Sequence, residues 1–251
     1  MQLEKKLHED VYLYSGVLDD PEKLVRLIEE LDEDESVQGV IPEWGFWFSN
    51  SQDGHSFGSK KDFNIDDIES LESDRKDDVL WVVGQIRGAI KKISEAYYKE
   101  HGDQGEPNIS PFAGVMKYRP GCDMGPHFDA QAGDESLKYS IVVYLNDNYE
   151  GGDLDFRDHD ISIKPVSGQL ITFPGGINNV HQVIPVKGAT RHTIGAFWDY
   201  KESEYSAERM AEWDAEIEKV REQQKEMQAE WKEQLDNGQH PLENGGNTGG
   251  Y

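Results

Sequence analysis

Between Ile109 and Tyr200 the chain is a succession of short β-prone runs separated by turn residues, and this texture limits the fold more than any other feature. The runs cover residues 114–118, 139–145, 154–156, 161–163, 169–173 and 193–198. Pro120-Gly121, Gly151-Gly152, Ser167-Gly168 and Pro174-Gly175-Gly176 punctuate them. Short strands at regular spacing bury their apolar faces by closing into a sandwich or jelly roll.

Helices flank that region. Pro21, after Asp19-Asp20, predicts a helix start, with Leu24, Leu27, Ile28 and Leu31 at helical spacing. A longer helix is predicted from about Asp77 to about Glu100, with Leu80, Val83, Ile86, Ile90, Ile93 and Tyr97 on one face and Gly102 placed to stop it. Val11-Tyr12-Leu13-Tyr14 and the aromatic cluster Trp44-Gly45-Phe46-Trp47-Phe48 read as strands. Residues 49–64 have loop composition, and 50–62 form a candidate lid. After Tyr200 the chain turns helical and charged through about Leu235, with an apolar stripe of Met210, Trp213, Ile217, Val220, Met227 and Trp231 broken by Gln224. Its expected partner is the protein's own body, with a self-pairing helix as the alternative. The last stretch, Gly- and Asn-rich, reads as disordered. The expected class is therefore mainly β with supporting helices (α+β). One structural domain is divided into a supporting part over 1–108, a β core over 109–200, an amphipathic helix over 201–235 and a tail over 236–251.

Fifty acidic against twenty-five basic residues give a net charge of -25. That field repels nucleic acid and anionic membrane, and favours a basic protein or peptide partner. The single cysteine, Cys122, excludes a disulfide framework within the chain and fits a reducing compartment. No run approaches the length of a membrane span, and no apolar stretch follows the N-terminus to act as a signal, so the chain reads as soluble and cytoplasmic. The oligomeric state is left open.

His-x-Asp occurs three times, as His8-Glu9-Asp10, His101-Gly102-Asp103 and His127-Phe128-Asp129. The first lies in a charged stretch and the second at a helix end. The third enters the β region, where residues i and i+2 share a face, so His127 and Asp129 can reach one metal. His181 supplies a second imidazole. Two histidines and a carboxylate make the facial triad of non-haem Fe(II) oxygenases, which leaves three coordination positions open. Residues 181–191 read as a strand, a turn and the start of another strand, which would bring His181 and Arg191 into one cavity. The planar fork of Arg191 suits a carboxylate.

The motifs around these residues resemble those of Fe(II)/2-oxoglutarate-dependent dioxygenases of the prolyl 4-hydroxylase type. The resemblance runs from about Val115 to Tyr200. It rests on Tyr118-Arg119-Pro120-Gly121 before His127-x-Asp129, on Tyr144-Leu145-Asn146 leading into Gly151-Gly152-Asp153-Leu154-x-Phe156, and on Pro174-Gly175 before His181. His181-x-Val183-x-Pro185-Val186-x-x-Gly188-x-Arg191, closed by Trp198, completes it. The resemblance implies a double-stranded β-helix, a cupin-like jelly roll, with His127, Asp129 and His181 holding Fe(II). Arg191 and Tyr144 would bind the distal carboxylate of 2-oxoglutarate, and Tyr118 would lie near its metal-binding end. Thr193 would line the pocket, and Trp198 is a candidate for substrate contact. O2 is the second co-substrate, ascorbate an accessory, and the implied activity is hydroxylation of a protein or peptide at proline. Hydroxylation of another residue or a free small molecule, a non-catalytic iron or 2-oxoglutarate binding module, and a zinc hydrolase are the alternatives.

Overall fold

The structure, a computed structural model, describes residues 1–41, 45–46, 57–61, 68–100, 106–129 and 139–201, with isolated positions 226, 229, 233 and 237. In chain order the strands are β1 (Gln2–Lys6), β2 (Tyr12–Ser15), β3 (Gly45–Phe46), β4 (Phe57–Lys61), β5 (Glu106–Tyr118), β6 (Met124–His127) and β7 (Tyr139–Tyr144). They continue as β8 (Glu150–Gly151), β9 (Leu154–Phe156), β10 (Ile161–Ile163), β11 (Leu170–Pro174), β12 (His181–Val183), β13 (Val186–Lys187) and β14 (Arg191–Lys201). Two α-helices are described, α1 (Pro21–Asp32) and α2 (Lys76–Glu100). An eight-stranded sheet has the order β1-β2-β11-β7-β14-β5-β4-β3, and a four-stranded sheet the order β10-β9-β12-β6. The paired strands run antiparallel. The two sheets share an interior, and the result is the double-stranded β-helix that the motifs implied.

Strict alternation along the central strands gives the large sheet two different faces. On β7, Tyr139, Ile141 and Val143 pack with the helices, and on β14 Ile194 and Ala196 join them. The intervening Tyr144 packs inward, with Tyr118 of β5, against Leu154, Phe156 and Val183 of the small sheet. Helix α1 starts where Asp20 accepts a hydrogen bond from the Lys23 backbone N–H at 2.9 Å, with Pro21 in the first turn. Its buried stripe is the expected Leu24, Leu27, Ile28 and Leu31, each worth about 1.5–3 kcal/mol of burial.

The stripe of α2 differs from the expected one at its start. Val79, Val83, Ile86, Ile90, Ile93 and Tyr97 are buried, whereas Leu80 is 37% exposed. The spacing explains this, since Val79 continues the four-then-three rhythm and Leu80 lies about 100° further round. The loop expected over 49–64 is also corrected in part. Residues 57–61 form β4, which pairs with β5 from Phe57↔Tyr118 to Lys61↔Gly114 and extends the sheet to β3. Phe-Gly-Ser-Lys-Lys has little strand pattern of its own, and pairing along β5 outweighs it. The remainder of the candidate lid, 50–56 and 62, lies outside the described residues, as do nearly all of the expected helix over 201–235 and the tail over 236–251. At the opposite edge β1 is a charged, mostly exposed strand, a composition that discourages edge-to-edge pairing. Among the described residues no helix is long and apolar enough to cross a membrane.

Candidate metal centre

His127 ends β6 and His181 opens β12, and the two are register partners across the small sheet. Partners across a ladder share a face, so the rings meet at 4.3 Å between centroids. Asp129 follows two residues after His127, with its backbone N–H bonded to the Gly175 carbonyl at 3.0 Å. Its Oδ1 lies 3.6 Å from His127 Nε2 and its Oδ2 3.6 Å from His181 Nε2. One ligand atom from each of the three residues falls within 4.8 Å of the others, and no other such cluster occurs among the described residues. His8, from the first His-x-Asp, instead stacks on His159 at 3.7 Å. His101 and Asp103 lie outside the described residues.

The hydrogen bonds orient the donors. His127 Nδ1 bonds the Gly125 carbonyl at 2.8 Å, and His181 Nδ1 bonds the Asn179 carbonyl at 3.0 Å. A carbonyl can only accept, so these bonds assign the protons to Nδ1 and leave the Nε2 lone pairs facing inward. Ser140 of β7 donates to Asp129 Oδ2 at 2.5 Å. His181 is 5% exposed and is boxed by Phe156 and Phe173. Burial, reinforced by His127 and opposed by Asp129, pulls it down to about 4, so it is neutral at pH 7. Two imidazoles and a carboxylate beside an open cavity fit Fe(II).

The cavity measures about 90 Å³, and His127, Asp129, His181 and Arg191 all line it. Its other walls are largely apolar, with Met116, Met124, Leu154, Val183 and Phe197 among them. Gly195 also lines it, and a Cβ there would stand 2.5 Å from Met116 Cε. Arg191 is 1% exposed. Its guanidinium lies 4.6 Å over the Tyr118 ring and 5.0 Å from the Tyr144 ring centre, and it donates to the Tyr144 hydroxyl at 3.2 Å. Burial opposes its charge, but Tyr144, Tyr118 and Tyr149 outweigh that and keep it protonated. Burial also pushes the Tyr118 and Tyr149 phenols up to about 12, and the Tyr144 phenol is raised for the same reason. Arg191 Nε and Nη1, Tyr149 Oη and Thr193 Oγ1 are buried without a hydrogen-bond partner. Among the described residues no carboxylate forms an ion pair with this buried guanidinium, an arrangement that suits an anionic ligand.

Thr193 sits opposite Tyr144 in the ladder and is fully buried, beyond the residues that line the cavity. Trp198 is paired with Tyr139 in the backbone ladder, and its side chain lies outside the described residues. Tyr149 and Ser140 did not stand out in the sequence. The available signal for Tyr149 was the Gly-Gly turn that follows it. Gly152 adopts φ +67, and a Cβ there would meet Tyr149 Cε2 at 2.8 Å and Arg191 Cδ at 3.0 Å. Glycine therefore provides both the handedness and the room for the phenol and the arginine.

Residues 113–199 match the model of the 2OG-Fe(II) oxygenase superfamily. Over 65 residues, 24% of this chain and 9% of the relative, the chain is 38% identical to prolyl 3-hydroxylase 2 of Rattus norvegicus. Over 164 residues, 62% of this chain and 20% of the relative, it is 24% identical to procollagen-lysine,2-oxoglutarate 5-dioxygenase 2 of Homo sapiens. The aligned stretches thus span only a small part of these curated relatives. Among solved structures, the fold is similar to a viral collagen prolyl hydroxylase from Paramecium Bursaria Chlorella virus-1 in its 2OG complex. The TM-score is 0.51 at 17% identity, covering 77% of this chain and 97% of that one. A prolyl hydroxylase in complex with a hypoxia inducible factor oxygen degradation domain peptide fragment, from Trichoplax adhaerens, gives a TM-score of 0.51 at 16% identity, covering 75% and 83%.

Proposed function

We propose that this chain, whose residues 113–199 match the model of the 2OG-Fe(II) oxygenase superfamily, is an Fe(II)- and 2-oxoglutarate-dependent dioxygenase that hydroxylates proline in a protein or peptide. One observation carries the proposal: three metal-type donors and a buried guanidinium lacking an anion line the same small cavity. His127, Asp129 and His181 would hold the metal. Fe(II) held there would supply, with 2-oxoglutarate and O2 as co-substrates, oxidation of a C–H bond coupled to decarboxylation of 2-oxoglutarate to succinate.

The chain's own residues provide placement. Arg191 grips the distal carboxylate of 2-oxoglutarate, with the Tyr144 hydroxyl already hydrogen-bonded to it and Tyr149 beside it. Tyr118 lies between that arginine and the metal end, and stays a neutral donor at physiological pH. Ser140 fixes the Asp129 carboxylate. The apolar and thioether walls keep water from the reacting carbon.

Those walls also favour proline over lysine. Among the described lining residues the only carboxylate is Asp129, which the metal would take, so a lysine ammonium would find no counter-ion there. A proline ring buries only apolar surface. The acidic excess of this chain favours a basic segment around the target. The family resemblance suggests the 4-position of the ring, and the similarity to prolyl 3-hydroxylase 2 suggests the 3-position.

The test is incubation with Fe(II), 2-oxoglutarate and proline-containing basic peptides, followed by succinate assay and fragment mass spectrometry. Peptide-dependent succinate and one added oxygen on proline are expected, with Asp129→Ala giving neither while keeping its circular dichroism spectrum. Oxygen on lysine, or succinate that no peptide stimulates, would redirect the assignment to another residue or a small molecule. Co-substrate binding without turnover would leave a binding module.

A further inference from the structure

We propose that Asn146 is the positioning residue that aims the Arg191 guanidinium, an inference that rests on reading Arg191 as the anchor for 2-oxoglutarate. Among the described residues no carboxylate pairs with Arg191; the Tyr144 hydroxyl and the Tyr118 and Tyr144 rings hold its guanidinium, and the backbone that launches this long, four-torsion side chain sets where it starts. Regular pairing of β7 with β14 reaches Tyr144↔Thr193, and Leu145 N–H still bonds the His192 carbonyl at 3.0 Å. From there the Asn146 side chain takes over. Its Nδ2 donates to the Thr190 carbonyl at 2.7 Å, and its Oδ1 accepts from the His192 N–H at 2.8 Å. The amide thus brackets Arg191, holding the residue on either side of it. Asn148 Oδ1 takes a second Nδ2 bond at 2.7 Å, so all three contacts agree on one orientation and a flipped amide would lose them. On the helix side His192 Nε2 meets Glu29 Oε1 at 2.7 Å, which pins the same residue from the opposite face. No other residue type of this size offers a donor and an acceptor at that reach. Aspartate would set oxygen against the Thr190 carbonyl, and alanine or serine would leave at least one of the two backbone groups unbound.

The test measures binding to the full chain loaded with Mn(II), comparing 2-oxoglutarate with 2-oxopentanoate, which has the same carbon chain but no distal carboxylate. Asn146→Ala should weaken 2-oxoglutarate by about tenfold, the loss for a misaligned but surviving charged hydrogen bond, and leave 2-oxopentanoate unchanged. In an Arg191→Ala background Asn146→Ala should cost nothing further. Asn146→Ser serves as a second variant if alanine lowers the folded yield. Equal weakening of both acids would overturn the proposal, since a merely structural role acts on both. So would unaltered 2-oxoglutarate affinity in a variant set where Arg191→Ala loses it. Wild-type protein that binds the two acids equally would overturn the reading of Arg191 itself, and the bracket's role with it.

Discussion

At the His127–Asp129–His181 end of the cavity each imidazole has its outer nitrogen bonded to a carbonyl, and the carboxylate has its serine. Around Arg191 four buried polar atoms, its own Nε and Nη1, Tyr149 Oη and, behind the cavity wall, Thr193 Oγ1, make no hydrogen bond. The first end is oriented before any ligand arrives. The second holds a charge in the core that the surrounding tyrosines keep protonated but that no carboxylate among the described residues pairs. The contrast separates two ways of building a site: one stores order, the other stores unsatisfied bonding that is released on binding.

Replacing Arg191 is the sharpest way to break this comparison. Arg191→Met should weaken 2-oxoglutarate binding by at least about a hundredfold, the scale of a lost buried charge partner. Calorimetric titration measures the effect, and unchanged affinity would remove Arg191 from the co-substrate site. At the other end Ser140→Ala should lower metal affinity about tenfold, as loss of an outer partner does, and leave 2-oxoglutarate contacts at Arg191 intact. Metal titration monitored by tryptophan fluorescence checks it, and unchanged affinity would show that the carboxylate needs no such support.

A smaller effect concerns the frame behind the arginine. Glu29 of α1 meets Lys117 at 2.6 Å and His192 at 2.7 Å, on the strands that carry Tyr118 and Arg191. Partial burial opposes its ionisation, yet the bonds from His192 and Lys117 pull its carboxyl from 4.5 down to about 2. A folded value below the unfolded one means stability that is present above pH 4.5 and lost as pH falls toward 2. Because the side chain is 41% exposed, solvent screening makes that contribution smaller than the shift alone implies. Wild type should therefore melt above Glu29→Gln at pH 6, with the gap closing by about pH 2. A gap independent of pH would assign Glu29 to packing alone.

The grouping of His127, Asp129 and His181 was legible in the sequence and much of the arginine end was not, for a physical reason. Metal coordination admits few residue types, and His127-x-Asp129 with a later His181 narrows the options further. Arg191 and Tyr144 could be placed through the motifs around them. Tyr149, Ser140 and the bracketing function of Asn146 depend on which strands lie side by side, and no local pattern encodes that. The fold divides the same way. Helix α1 obeys its own capping and spacing, whereas β4 exists because β5 offers an edge to pair with. Leu80 was misplaced by one position because two adjacent apolar residues, Val79 and Leu80, compete for one stripe and only packing chooses between them.

Gly195 carries a consequence for how the size of this cavity could change. A methyl group added there would press on the far end of a flexible thioether, Met116, rather than on backbone. The chamber would shrink from its floor while the metal donors and the arginine kept their places. Under the proposed function, the room left for a target side chain is thus adjustable at a position that has no side chain of its own, independently of His127, Asp129, His181 and Arg191.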